Sequence, residues 1–236
     1  MSQFQFKQFT INQDRCAMKV GTDGVLLGAW VPIENNPFAV LDIGAGTGIL
    51  SLMLAQRSNA EQIDAIEIDE NAYEQCVENF EASNWGDRLF CFHAGLDEFM
   101  EEPEDEYDLI ISNPPFYSED YKTESEQRDL ARFQDALPFE DLIEAAQLLL
   151  SENGIFAVII PFKEESRFIA FAKDFNLLPF KITRVKGTPT TEIKRSLLAF
   201  SFTEKEIEAT ELIIETARHQ YTEDYIALTK DFYLKM

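Results

Sequence analysis

Residues 108–120 read DLIISNPPFYSED, an apolar stretch that breaks at Asn113 into two prolines and an aromatic ring. An asparagine side chain carries one carbonyl acceptor and one amide donor. Pro114 and Pro115 have no N–H, so the backbone there offers only acceptors. Phe116 offers a flat apolar face. The combination fits a planar exocyclic amino group. Asn113 Oδ1 and the Pro114 carbonyl would take its two hydrogens while the attached ring stacks on Phe116. Such a nitrogen is a poor nucleophile because its lone pair is delocalised. Accepting both hydrogens in a near-tetrahedral arrangement pulls the lone pair out of conjugation and aims it. If a cofactor carries a methyl on a cationic sulfonium, direct in-line transfer follows from positioning, with no metal and no covalent enzyme intermediate. Taken alone, NPP is a turn that closes a strand; the chemistry depends on what stands beside it.

From Phe38 onward, short apolar runs alternate with helical patterns. The spacing predicts strands over 39–44, 63–69, 88–95, 108–112 and 155–161, and helices over 49–58, 70–83, 137–154 and 163–175. Asp69 is placed to cap the second helix and Gly154 to end the third. Residues 179–185 and 196–202 read as a closing antiparallel pair. Strands alternating with helices define an α/β fold: a Rossmann-like, doubly wound sheet, mostly parallel, with an antiparallel edge strand. Ligands in such sheets sit at the carboxyl ends of the strands.

The first strand ends in DIGAGTG, residues 42–48. Gly44, Gly46 and Gly48 allow positive φ and close approach of a ligand. A dinucleotide fingerprint wants Gly or Ala where Ile49 stands, which disfavours NAD and leaves a nucleoside-type cofactor. Glu67, about 20 residues on, is placed to accept from both ribose hydroxyls. Asp69 competes for that role but is better explained as the helix cap, and Asp42 is better suited to orienting the turn than to chemistry. The fourth strand should lie beside the first, which brings Asn113 to the cofactor.

Forty-three acids against 20 bases give a net charge of −23, which works against binding a polyanion. The charge is uneven, however. Residues 97–108 hold eight acids and no base, whereas 181–195 hold five bases (Lys181, Arg184, Lys186, Lys194 and Arg195) and one acid. Local patches must therefore decide the partner. The apolar runs are too short to span a bilayer, no signal-peptide pattern opens the sequence, and three cysteines without metal-like spacing suit a reducing cytoplasm. The chain is expected to be one domain over 1–236. Residues 1–37 form an extension contributing to the site, 38–236 the core, and neither membrane, metal nor obligate protein partner is expected.

Together, DIGAGTG, AIEID and NPPF resemble the class I S-adenosylmethionine-dependent amino-methyltransferases. Residues 13–30, 108–117 and 221–236 are similar to the bacterial tRNA1(Val) adenine-N6 methyltransferase family, over nearly the whole chain. The resemblance implies an S-adenosylmethionine cofactor and a valine-tRNA adenine just after the anticodon as substrate. It carries the cofactor and catalytic roles to Gly44, Gly46, Glu67 and Asn113–Phe116, and puts Thr22 and Asp23 beside the methionine end of the cofactor. Relatives often carry an acid on the cofactor adenine after the third strand; here Gly95 stands there, and either Asp97, two residues on, substitutes through a shifted loop or another group makes the contact. The basic segment from Lys181 to Arg195 would hold RNA.

Two other enzymes use the same logic. A protein-glutamine methyltransferase acts on a planar NH₂, and the acidic charge favours it, but such enzymes usually carry a helical domain before the glycine turn. An rRNA guanine-N2 methyltransferase usually has an added RNA-binding domain. A non-catalytic cofactor-binding module is opposed by the intact NPPF.

Overall fold

The computed structural model describes residues 2–101, 106–115 and 137–236. One eight-stranded sheet organises them, in the order β10-β8-β9-β7-β6-β3-β4-β5. Its strands are β3 (Ala39–Ile43), β4 (Gln62–Glu67), β5 (Leu89–His93), β6 (Tyr107–Ser112), β7 (Leu150–Pro161), β8 (Leu178–Lys186), β9 (Ile193–Ser201) and β10 (Glu208–Ile213). All run the same way except β9, which is antiparallel to both its neighbours. The antiparallel strand is thus interior, and the parallel β10 forms the edge beyond it. Residues 208–213 read EATELI, with only Leu212 buried, so this edge strand lacks the apolar run that marks the central ones.

The central strands are mostly apolar because both faces are covered. Every residue of β3 is buried. On one face pack α1 (Thr22–Trp30), α2 (Ile49–Arg57), α3 (Glu70–Glu81) and the C-terminal α7 (Glu223–Thr229). On the other pack α4 (Leu96–Met100), α5 (Phe139–Leu149) and α6 (Glu165–Asp174). In α3, Ala72, Cys76 and Phe80 recur at four-residue spacing and form the buried stripe. Asp69 accepts from the Ala72 amide at 2.8 Å, as its capping role requires. Helix α1 is buried on all sides from Gly24 to Trp30. At Gly28 a Cβ would come within 2.7 Å of Met53 Sδ, so glycine there sets how closely α1 and α2 pack.

One expected boundary fails. Helix α5 ends at Leu149, and Gly154 lies inside β7. The apolar periodicity of 142–149 runs straight into the strand, where Glu152 and Asn153 are exposed and Gly154 is buried.

The chain ends close over the face carrying α1 and α2. The hairpin β1 (Gln3–Gln5) and β2 (Thr10–Asn12) precedes α1, and Phe6 bridges to Tyr233. Phe6 stacks on Phe9 at 4.7 Å and on Tyr233 at 5.9 Å, and the Lys7 amide donates to the Phe232 carbonyl. Among the described residues no helix is long and apolar enough to cross a membrane.

Candidate active site

The chain runs β3, β4, β5 outward and then returns to place β6 on the other side of β3. The order reverses between β3 and β6, where a doubly wound sheet opens its crevice. The Ser112 hydroxyl donates to the Ile43 carbonyl at 2.8 Å and ties the two strand ends together.

The glycine turn leaves β3 with Gly44, Gly46 and Gly48 all at positive φ (76°, 55° and 77°). The Gly44 and Ala45 amides both donate to the Ile66 carbonyl. The Gly46 amide donates to Glu67 Oε2 at 2.7 Å, and the Asp69 amide to Glu67 Oε1 at 2.9 Å. The three glycines serve different ends. A Cβ at Gly44 or Gly46 would meet nothing within 4 Å, so the space above them is open to a ligand. A Cβ at Gly48 would strike Phe80 Cε1 at 2.5 Å and Cys76 Sγ at 2.9 Å. Gly48 therefore faces the core. Gly48→Ala should lose about 2–5 kcal/mol of stability from left-handed strain and overpacking together. Gly46→Ala should lose only the strain, about 1–2 kcal/mol. Chemical denaturation of the two variants checks this, and equal losses would remove the distinction.

Asp42 lies behind the turn, fully buried, and accepts from the amide and hydroxyl of Ser51 at 3.2 and 2.7 Å. It joins β3 to α2 and does not line the cleft. Burial pushes its carboxyl up to about 7. A folded-state pKa above the unfolded value contributes stability at low pH that is lost as pH rises from about 4 through 7. Asp42→Asn should remove that loss, so its stability relative to wild type should climb across the same window in pH-dependent denaturation. A difference that stays flat would show that Asp42 is already ionised in the fold.

Above the turn lies a cleft of about 870 Å³ lined by Gly44, Gly46, Asn113, Thr22 and Asp23. Five expected site residues therefore meet in one place. Asn113 is half-buried at the end of β6, and its Nδ2 lies 3.9 Å from where a Cβ on Gly24 would stand. The first turn of α1 thus packs directly beside it. Pro114 is buried and Pro115 half-buried; Phe116 lies outside the described residues. Glu67 reaches the site through Gly46. Asp97 is exposed in the first turn of α4, away from the cleft, but its Oδ1 comes within 2.6 Å of the Cβ position at Gly95. Its carboxylate fills the space a side chain at 95 would take.

The five bases do not form one patch. Strand alternation sends Lys181 to the α1 face, where its Nζ lies 4.9 Å from the Trp30 ring centroid. Arg184 turns to the α6 face and pairs with Glu165 at 2.6 Å; Lys186 pairs with Glu211 at 2.9 Å. Lys194 and Arg195 line the cleft, because antiparallel β9 begins at the rim where the other strands end. Arg195 pairs with Asp23 across it at 2.7 Å.

Other cleft residues lie outside the glycine turn and the NPPF stretch. Phe162 and Lys163 follow β7, and their position at a strand's carboxyl end was their only signal. Lys19 and Val20 come from the N-terminal extension. That extension is held by three buried amides: Gln13 accepts from the Val20 amide, Gln75 from the Arg15 amide, and Asn79 from the Asn12 amide. Asn79 also donates to the Thr47 carbonyl at 2.9 Å, linking the extension to the glycine turn. Cys16 and Cys76 are buried, and burial pushes the Cys16 thiol up to about 12, far from a reactive thiolate.

A sheet of this order with its cleft at the β3–β6 switch point is the class I methyltransferase architecture, and solved structures agree. A predicted O-methyltransferase from Agrobacterium tumefaciens is similar with a TM-score of 0.69 at 20% identity, covering 89% of this chain and 96% of its own. Pyrococcus horikoshii TYW2, solved in complex with MeSAdo, is similar with a TM-score of 0.54 at 18% identity, covering 79% and 65%. Within that class, the chain belongs to the methyltransferase small domain family, whose model matches residues 26–176. Its relatives include tRNA1(Val) (adenine(37)-N6)-methyltransferases. That of Flavobacterium johnsoniae is 77% identical over 99% of this chain and 100% of its own. The one from Bacteroides fragilis is 44% identical over 99% and 98%.

Proposed function

We propose that the chain methylates N6 of adenine 37 in a valine tRNA, using S-adenosylmethionine. The observation that carries this is the shared cleft: Asn113 and the open glycines Gly44 and Gly46 face the same space. The full-length identity to relatives of that name supports the substrate.

The residues fit the cofactor. The bare surface above Gly44 and Gly46 admits a nucleoside without a side chain in the way. Glu67, already oriented by two backbone amides, keeps lone pairs for ribose hydroxyls. Thr22 and Asp23 stand at the other side of the cleft, for the methionine end, and Asp97 supplies the carboxylate that Gly95 lacks. When bound, S-adenosylmethionine supplies an electrophilic methyl group on its sulfonium.

The chain's own task is then to present the amine. Asn113 Oδ1 and the Pro114 carbonyl accept its two hydrogens, and Phe116 gives the base a stacking face. These contacts hold the nitrogen lone pair toward the cofactor side of the cleft. Ser112, bonded to Ile43, keeps that acceptor pair in register with the glycine turn. The −23 charge need not repel the RNA, because screening confines it to about 8–10 Å at physiological salt. The rim of the cleft carries Lys19, Lys163, Lys194 and Arg195. An unpaired loop adenine costs less to splay into the cleft than one in a duplex. A tRNA substrate and free thiols agree with a cytoplasmic setting, and one domain, with residues 1–37 contributing to the site, suffices.

The test is incubation with labelled cofactor and total tRNA or total protein, followed by mass spectrometry of nucleosides and amino acids. N6-methyladenosine in the tRNA fraction is expected. Label in protein glutamine, with none in tRNA, would replace this function with the competing one.

A further inference from the structure

Where β7 leaves the sheet, a 3₁₀ turn, Phe162–Glu164, puts Phe162 on the rim with 38% of its surface exposed. The ring lines the main cleft and also a second hollow of about 420 Å³ formed with Lys186, Thr190 and Thr191. The two spaces share Phe162, Glu192 and Ile193, so they lie side by side across these residues. The ring is backed by a fixed cation. The Arg184 guanidinium carbon lies 5.8 Å from its centroid, and that guanidinium is held by Glu165 through three hydrogen bonds of 2.6–3.1 Å. Glu165 is pinned in turn by the Ser196 hydroxyl at 2.5 Å. Arg184, expected on sequence to meet RNA, is thus committed behind an aromatic ring.

We propose that this second hollow is the subsite for a nucleotide adjoining the target adenine, with Phe162 as its stacking platform. The inference rests on the function proposed above, since the target base must occupy the main cleft. Three features point to a nucleotide. An extruded loop base draws its neighbours along through the phosphodiester, so one of them must cross the rim. An exposed ring beside cations is the usual pairing for single-stranded nucleic acid, and any base can stack on it. The Lys186 ammonium, which keeps donors beyond the one on Glu211, and the Thr190 hydroxyl suit a phosphate and sugar, whereas the Thr191 hydroxyl already donates to the Thr188 carbonyl; Glu192, at the junction, can accept from a ribose hydroxyl or a base amino group. Arg184 on the ring strengthens its hold without meeting the phosphate itself.

The test uses the full chain and a full-length valine-tRNA transcript. Phe162→Ala should raise KM for tRNA about five- to hundredfold, the range expected for one lost stack. Cofactor affinity by calorimetry should not move, and Phe162→Tyr should restore KM. In a second arm, transcripts carry an abasic site on one side or the other of the target adenine. With the wild type, one of the two should lose the same factor; with Phe162→Ala that transcript should lose little more, because ring and base act as a pair. Unchanged KM in Phe162→Ala, or fully additive losses, would overturn the proposal. If Phe162→Ala fails to bind cofactor, the abasic arm on the wild type decides alone, and indifference to both neighbours overturns it. A wild type that leaves intact tRNA unmethylated would instead refute the function itself, and the platform with it.

Discussion

Asn113→Ala is expected to lower kcat about a hundred- to thousandfold, the cost of deleting one positioned hydrogen-bonding group at a reacting centre. Cofactor affinity should stay near the wild-type value, because the lost bond acts on the transferring nitrogen and not on the nucleoside. The structure makes the two effects separable. Asn113 rises from β6, whereas the glycine turn and Glu67 belong to β3 and β4. The turn is held by Ile66, Glu67 and Asn79, none of which bonds to Asn113. Asn113→Asp keeps an acceptor in the same place and should retain more turnover than alanine. Single-turnover methylation with calorimetry on the same preparations reads both quantities. An alanine variant turning over at the wild-type rate would eliminate the amine-presenting role.

Glu67→Ala should weaken cofactor binding at least tenfold. A carboxylate accepting from ribose hydroxyls contributes about 1.5–3 kcal/mol per bond, and each 1.4 kcal/mol is tenfold in affinity. The structure adds a second reason. Both carboxylate oxygens hold backbone amides, at Gly46 on the turn and at Asp69 on the α3 cap. Removing them frees the turn that the nucleoside must approach. Glu67→Gln, which retains one acceptor oxygen, should fall between alanine and wild type. Binding of the alanine variant at wild-type strength would show that the ribose is held elsewhere.

The parts of the fold that were legible are those in which each residue answers to its near neighbours. Runs such as AVLDI and the cap at Asp69 follow from burial and local hydrogen bonding, so strand order around β3 and the meeting of Gly44, Gly46 and Asn113 could be read directly. Gly154 misled because a glycine after an apolar helix is normally a stop, and nothing nearby in sequence shows that β7 begins at once. The basic segment was only partly legible, for another reason. Arg184 meets Glu165, Lys186 meets Glu211 and Arg195 meets Asp23, partners supplied by α6, β10 and α1. A charge count along the chain cannot see a counter-ion that arrives across the fold. Helix α1 escaped because TDGVLLGAW is apolar on every side and shows no period, while Asn79 and Gln75 are amides on a buried helix face, where pattern expects hydrocarbon.

The placing of β9 between β7 and β8 has a consequence for the chain as it is made. Strand β7 is finished at Pro161, but the strand that pairs with its free edge is complete only at Ser201, forty residues later. At a synthesis rate of about 5–20 residues per second, the nascent protein carries that edge unpaired for roughly 2–8 seconds. The edge is the stretch IFAVIIP, wholly apolar and rich in β-branched residues, and so a ready template for another chain. Strand β8 does not relieve it, since in the sheet β8 pairs with β9 and β10 and not with β7. The free edge of β7 is therefore covered only once the chain has turned back through β8 into β9.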